Sequence, residues 1–118
     1  NKSSSGLRPV MLFIHGGTFS TGGSAAPLYN PTDLVTALDA VIVTFDYRLG
    51  VFGYLAGESL LADGDGPVGN YGLEDQMAAL RWVHRNIAHF GGDPERITVV
   101  GHSAGAMSAN WMQLVGGR

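Results

Sequence analysis

Three short apolar runs along the chain have the length and composition of buried strands. They cover residues 9–14, 41–45 and 97–100, and they consist mainly of β-branched and large aliphatic or aromatic side chains. Continuous apolar runs of this length are typical of strands that are buried on both faces of a parallel sheet. We therefore predict three strands of this kind.

Between these runs, the apolar positions recur with helical spacing. The clearest helix spans residues 73–90 and ends at two glycines. Shorter helices are predicted after the cap pair Asn30-Pro31 and over residues 104–114, whereas residues 49–69 show no period and are predicted to be irregular. Strands that alternate with helices indicate an α/β fold with a parallel sheet and right-handed crossovers.

Composition narrows the choice of partners. The chain has 118 residues, no cysteine, seven Lys and Arg residues and a formal net charge of −3. So few basic residues cannot form a strongly basic face, so we expect no nucleic-acid partner and no attraction to anionic membrane surfaces. The absence of cysteine fits a reducing compartment but is also compatible with secretion. Other membrane association and the oligomeric state stay open.

The main candidate for chemistry is a Gly-x-Ser-x-Gly stretch at residues 101–105, between a predicted strand and a predicted helix. A sharp turn there would expose the hydroxyl of Ser103 at the sheet edge. A Cβ at Gly101 or Gly105 would collide with the neighbouring strand or helix. The helix N-terminus would direct free N–H groups at an oxyanion. The alternative is a simple glycine turn, but the flanking strand and helix favour a nucleophile elbow.

A second glycine pair follows the first predicted strand. The stretch His15-Gly16-Gly17-Thr18 could present successive backbone N–H groups to an anion. Taken alone, it reads better as a glycine turn. Because a candidate nucleophile follows later in the chain, the loop is instead predicted to form an oxyanion hole.

Several other residues that could suggest a binding site are not predicted to form one. Trp82 is predicted to pack in the core, rather than to serve as a ligand platform, and the spacing of His84 and His89 matches no zinc motif. The acidic stretch at 63–66 looks like half a calcium loop, but it lacks the later ligands, so we predict no metal site. Asn1 begins a glycosylation sequon whose use stays open.

Six motifs together resemble one known family, the type-B carboxylesterases and cholinesterases of the α/β-hydrolase fold. They occur in the family's order at residues 13–17 (FIHGG), 46–50 (DYRLG), 69–76 (GNYGLEDQ), 79–83 (ALRWV), 90–94 (FGGDP) and 101–105 (GHSAG). The resemblance implies a partial α/β-hydrolase fold, with a mainly parallel sheet, flanking helices and the C-terminal part missing. Residues 1–118 would then be a fragment of a single carboxylesterase domain.

The resemblance also implies a site and its chemistry. Ser103 would be the nucleophile that carries an acyl-ester intermediate, and the N–H groups of Gly17, Thr18 and Ala104 would form the oxyanion hole. The glycines that support this arrangement are Gly16, Gly101 and Gly105. The substrate would be a small-molecule ester, and no cofactor is needed.

The family pattern further suggests that Arg48 and Asp75 form a buried ion pair, which would tie the loop after the second strand to the long helix. The alternative is that these residues are two surface charges.

Three departures from the family pattern change the expectations. Thr18 stands where the family often has a third glycine, and its Cβ would narrow the acyl side of the pocket. His102 replaces a glutamate common in cholinesterases, which makes a cationic substrate less suitable; it is not the triad base, because neighbours on an elbow point apart. The fold's chain order is nucleophile, acid, histidine, yet only fifteen residues follow Ser103. The chain alone is therefore expected to be inactive.

Three functions are compatible with these residues. The whole protein is predicted to be a serine esterase. The alternatives are a catalytically silent adhesion or binding relative, which commonly loses the elbow serine, and a lipase or peptidase on the same fold. Secretion or the endoplasmic reticulum is suggested by the resemblance only.

Overall fold

A three-stranded parallel sheet forms the centre of the molecule. The computed structural model describes residues 6–57 and 69–116. The strands are β1 (Arg8–Ile14), β2 (Val41–Thr44) and β3 (Gly92–Gly101), in the spatial order β2-β1-β3. Val10 of β1 aligns with Val41 of β2 and with Ile97 of β3, and both pairings are parallel. The predicted strands and their parallel arrangement are therefore confirmed.

The helices connect and cover these strands. They are α1 (Thr32–Leu38), α2 (Gly50–Tyr54), α3 (Tyr71–Asn86) and α4 (Ala104–Gly116), with 3₁₀ turns at Pro27–Tyr29 and Ile87–Phe90. The predicted long helix is confirmed as α3 and the following 3₁₀ turn, which ends at Gly91 with a φ of 81°. The prediction of irregular structure after residue 49 was wrong for α2. None of the helices described in these two ranges is long and apolar enough to cross a membrane.

The core lies on one face of the sheet. Val10, Leu12 and Ile14 alternate along β1 and are almost fully buried. Val83 and Ile87, from α3 and the 3₁₀ turn after it, pack on the first two of these. The residues between them on β1 are only half-buried, so the expectation of burial on both faces was wrong for the part of the chain described. The helices that the structure describes cover one face more fully than the other.

One further expectation needs correction. Trp82 lies on the outer side of α3, is 51% exposed and contacts the ring of Phe90 at a centroid distance of 6.0 Å, so it is not a core residue. Asp93 and Pro94 lie inside β3 at an irregularity, where the pairing with β1 jumps from Gly92 to Ile97. The sequon at Asn1 and the acidic stretch at 63–66 lie outside the described residues.

The register places the carboxyl ends of two strands side by side. Ile14 at the end of β1 pairs with Gly101 at the end of β3. The loop after β1 and the turn after β3 therefore leave the sheet at the same edge. In open α/β sheets, this edge is where ligands bind.

Candidate active site

Ser103 occupies the turn between β3 and α4. Its φ is 53°, in the left-handed region, and its side chain is exposed. This backbone conformation costs a non-glycine residue about 1–2 kcal/mol. The carbonyl of Ser103 accepts the N–H groups of Ala106 and Met107 at 2.9 and 3.2 Å, so the helix begins immediately after the serine. The hydroxyl is thus presented at the sheet edge by a strained turn.

Gly101 and Gly105 allow the turn to be this tight. A Cβ built on Gly101 would collide with the backbone of Gly105 and lie 2.5 Å from the nitrogen of Ala106. A Cβ on Gly105 would collide with the carbonyl oxygen of Ile14 and lie 2.9 Å from that of His15. The first glycine lets strand and helix approach each other, and the second lets the helix start against β1.

The glycine loop after β1 lies against this turn. A Cβ on Gly16 would be 3.1 Å from the Cβ of Ser103 and 2.8 Å from the carbonyl oxygen of His102. The N–H of His102 donates to the carbonyl of Ile14 at 3.2 Å, which extends the pairing of the two strands into the loops. The structure therefore brings together Gly16 and Ser103, which are 87 positions apart in the chain.

Two carbonyl groups of the loop are fixed by hydrogen bonds. The Nδ1–H of His15 donates to the carbonyl of Gly16 at 2.8 Å, and the N–H groups of Ser20 and Thr21 both donate to the carbonyl of Gly17 at 3.0 Å. In a trans peptide, the C=O of one residue and the N–H of the next point in opposite directions. The N–H groups of Gly17 and Thr18 are therefore turned away from these partners.

In the described part of the chain, the three predicted oxyanion donors are free to bind a ligand. Within residues 6–57 and 69–116, the N–H groups of Gly17, Thr18 and Ala104 make no hydrogen bond. Gly17 and Thr18 have φ values of 123° and 54°, which gives this stretch an unusual backbone path. A loop with free N–H groups beside an exposed hydroxyl can stabilise negative charge that develops on a bound carbonyl oxygen.

None of the histidines is placed as a base for Ser103. His15 is buried and its Nδ1 is engaged by Gly16, whereas the Nδ1 of His102 lies 3.0 Å from the hydroxyl of Tyr29. His84 lies beside Glu95 and His89 precedes β3. Both lie near the start of β3, at the opposite end of that strand from Ser103. Within the described ranges, no cluster of His, Asp and Glu could hold a metal ion either.

Two tyrosines that carried no role in the sequence analysis support the loop. The hydroxyl of Tyr47 donates to the carbonyl of His15 at 2.8 Å, and its ring stacks on that imidazole at 4.4 Å. Burial raises the pKa of Tyr47 to about 12, so this hydroxyl stays neutral and keeps its proton for the hydrogen bond. Tyr29 contacts both Gly16 and His102. No local pattern marks either tyrosine, because each contact joins distant parts of the chain.

Arg48 and Asp75 form a bidentate ion pair. Nε and Nη2 of Arg48 each donate to one carboxylate oxygen at 2.8 Å, and the backbone N–H of Arg48 adds a third bond at 2.9 Å. The side chains are 51% and 28% exposed, so the expectation of a buried pair was wrong. The guanidinium lies over the ring of Tyr71 at the start of α3, 5.1 Å from the ring centroid, and about half of the Arg48 side chain stays exposed. The hydrogen bonds of the pair hold the pKa of Asp75 below the ordinary value and raise that of Arg48.

With asparagine in place of Asp75, the stability of the protein is expected to fall less as the pH is lowered. Because the folded-state pKa is lowered, the ionised carboxylate stabilises the fold above the ordinary value of 3.8, and this contribution is lost as the pH falls through the lower folded-state pKa. Denaturation midpoints of the full-length protein between pH 7 and pH 3 should fall less steeply for Asp75→Asn. The control is Asp39→Asn, which removes the carboxylate of a more exposed pair with Arg8. Parallel curves for wild type and Asp75→Asn would contradict the expectation.

Comparison with known proteins identifies the class of protein. The family model described as "Carboxylesterase family" matches residues 1–115, and the chain belongs to that family. Esterase B1 of Culex pipiens is 52% identical over 103 residues, which are 87% of this chain and 18% of that protein. Neuroligin-2 of Mus musculus is 47% identical over 110 residues, which are 93% of this chain and 12% of that protein.

Solved structures agree with this assignment. A carboxylesterase of Geobacillus stearothermophilus superposes with a TM-score of 0.81 and 48% identity, covering 86% of this chain and 22% of that one. The chain thus has part of the α/β-hydrolase fold, as its motifs predicted. It spans about a fifth of the length of the esterases that it matches.

Proposed function

We propose that residues 1–118 are part of a single α/β-hydrolase domain and that the whole protein is a serine carboxylic-ester hydrolase. The observation that carries the proposal is the arrangement around Ser103. An exposed hydroxyl on a strained strand-to-helix turn lies against a loop whose Gly17 and Thr18 N–H groups have no internal acceptor among the described residues. Similarity to esterases over almost the whole chain supports the same reaction.

In this reaction, Oγ of Ser103 attacks the carbonyl carbon of a small-molecule ester. Its proton passes to a histidine base outside the described residues, and the carbonyl oxygen becomes an oxyanion. The N–H groups of Gly17, Thr18 and Ala104 would stabilise this charge, where the loss of one donor typically costs about 10²- to 10³-fold in rate. Collapse of the intermediate releases the alcohol and leaves an acyl ester on Ser103, which water then hydrolyses.

The test is labelling of the full-length protein with a fluorophosphonate ester, followed by mass spectrometry of the tagged peptide. Such a probe reacts with a serine hydroxyl only when a base activates it. Stoichiometric labelling at Ser103 is the expected result. Folded, unlabelled full-length protein would contradict the proposal. Residues 1–118 alone should stay unlabelled, because their described part offers Ser103 no base.

A second candidate is a non-catalytic binding protein of the same family. It is favoured by the similarity to neuroligin-2, which is nearly as high as the similarity to Esterase B1. Retention of Ser103 and of both glycines at 16 and 17 favours the esterase. A lipase uses the same residues, so hydrolysis of short soluble esters compared with emulsified long-chain esters separates these two enzymes.

Thr18 is proposed to limit the size of the acyl group that the site accepts. Its Oγ1 donates to the carbonyl of Gly17 at 2.7 Å, and its Cβ stands in the loop that would contact the acyl side of the substrate. Thr18→Gly keeps the N–H donor and removes the Cβ. The ratio of kcat/KM for butyrate over acetate esters should then rise about tenfold. Thr18→Ser is the matched control, because it keeps the Cβ and the hydroxyl. An equal rise in both variants would contradict a role for the Cβ.

A further inference from the structure

The hydroxyl of Tyr29 lies between the glycine loop and the serine turn. The N–H of Gly16 donates to it at 3.3 Å, and the Nδ1 of His102 lies 3.0 Å from it. The ring of Tyr29 packs on Phe13 with a centroid distance of 5.0 Å. One side chain from a 3₁₀ turn between β1 and α1 therefore contacts both segments of the candidate active site.

The direction of one of these two hydrogen bonds is fixed by chemistry. The N–H of Gly16 can only donate, so the Tyr29 oxygen accepts in that bond and its own O–H is available to donate elsewhere. That proton can be donated to the Nδ1 of His102 when the imidazole is neutral and carries its hydrogen on Nε2. Gly16 and His102 are also in close contact, since a Cβ on Gly16 would lie 2.9 Å from that Nδ1.

We propose that Tyr29 and His102 are positioning residues that set the distance between the oxyanion donors and the hydroxyl of Ser103. Gly16 immediately precedes the donors at 17 and 18, and His102 immediately precedes the nucleophile. A hydroxyl that binds Gly16 and His102 therefore couples the two segments that must act on one carbonyl group. This inference rests on the proposed esterase function and assigns a role to a residue other than the nucleophile and the donors.

Tyr29→Phe in the full-length protein is the first test. The ring can still pack on Phe13, whereas both hydrogen bonds are lost. Displacing reacting groups by about 1 Å costs up to ~10²-fold, so kcat should fall by roughly 10- to 100-fold while KM changes by less than about threefold. Affinity for a trifluoromethyl ketone, which forms an oxyanion on the serine, should fall by the same factor as kcat/KM. A purely structural role would lower thermal stability without this split between kcat and KM.

Two substitutions of His102 test whether the hydrogen bond to Tyr29 matters, or only the space that the His102 side chain fills. In His102→Asn, Oδ1 lies where Nδ1 lies in histidine and can accept the proton of Tyr29. In His102→Leu, a methyl group takes that place and cannot. Asparagine should retain kcat within about threefold of wild type, whereas leucine should reproduce the loss seen in Tyr29→Phe. The double variant Tyr29→Phe/His102→Leu should lose no more than either single variant.

The outcomes separate this inference from the esterase proposal. A folded wild-type protein with no esterase activity and no fluorophosphonate labelling overturns the esterase proposal and the positioning role with it. An active wild type whose Tyr29→Phe variant keeps its kcat overturns the positioning role alone. The positioning role is also overturned if His102→Asn and His102→Leu are equally impaired, or if the losses in the double variant add.

Discussion

Replacing Ser103 with alanine should abolish ester hydrolysis by the full-length protein. The exposed hydroxyl is the group that would form the acyl intermediate, and the loss of a serine nucleophile in such a triad typically lowers kcat by about 10⁴- to 10⁶-fold. Binding of substrate depends on other groups, so the KM of any residual activity should change little. Steady-state kinetics with p-nitrophenyl acetate, together with fluorophosphonate labelling, would measure the effect.

A matched control lies on α4, the helix that begins immediately after Ser103. Ser108 is 1% exposed, and its hydroxyl has no hydrogen-bond partner among the described residues. Removal of an unpartnered buried hydroxyl leaves no donor or acceptor unsatisfied, so Ser108→Ala should fold and keep its activity. Hydrolysis by Ser103→Ala at a rate within tenfold of wild type would show that another residue is the nucleophile.

The regular part of the fold was predictable because its patterns are distinct. The three strands are continuous apolar runs, and the spacing over α3 covers enough residues to show a helical period. Helix α2 has only five residues, little more than one turn, so no helical period could appear in it. Its glycine-rich sequence, Gly50–Tyr54, also lacks helix-forming residues.

Burial was harder to predict, because an apolar sequence does not say which neighbour covers it. The run in β1 suggested burial on both faces. Of the residues of this strand, however, only Val10, Leu12 and Ile14 are deeply buried within the described chain. Trp82 was assigned to the core on its chemistry alone, although it lies on the outer side of α3. The contact of Arg48 with Asp75 followed the family pattern, but its exposure depends on which elements pack over it.

The candidate site was predictable only where its residues are joined by a local motif. Gly101, Ser103 and Gly105 are within one pentapeptide, and their spacing carries the geometry. Tyr29 is 73 positions from His102, and its neighbours Leu28 and Asn30 carry no signal of a catalytic role. Only the folded chain brings its hydroxyl to the serine turn.

The second large effect is expected at Gly105, where helix propensity and a steric collision change the stability in opposite directions. Replacement of a helical glycine by alanine ordinarily stabilises a protein by about 1 kcal/mol. In the first turn of α4, however, the new Cβ would collide with the carbonyl oxygen of Ile14 and lie 2.8 Å from its carbonyl carbon. Both are backbone atoms of the central strand and cannot move aside as a flexible side chain could. The collision should therefore dominate, with a net destabilisation of about 3 kcal/mol or more.

Catalysis should fall along with stability in Gly105→Ala, because the same Ile14 carbonyl accepts the N–H of His102 at 3.2 Å. If α4 is pushed away from β1, Ser103 moves relative to the glycine loop, and the two segments no longer act on one carbonyl group. Gly23→Ala is the control, since its Cβ would meet only the Asp46 carboxylate at an ordinary 3.5 Å. Thermal unfolding and kcat/KM of both full-length variants test this. A Gly105→Ala protein that unfolds at or above the wild-type temperature would show that helix propensity outweighs the collision and that α4 is less closely packed on β1 than the structure describes.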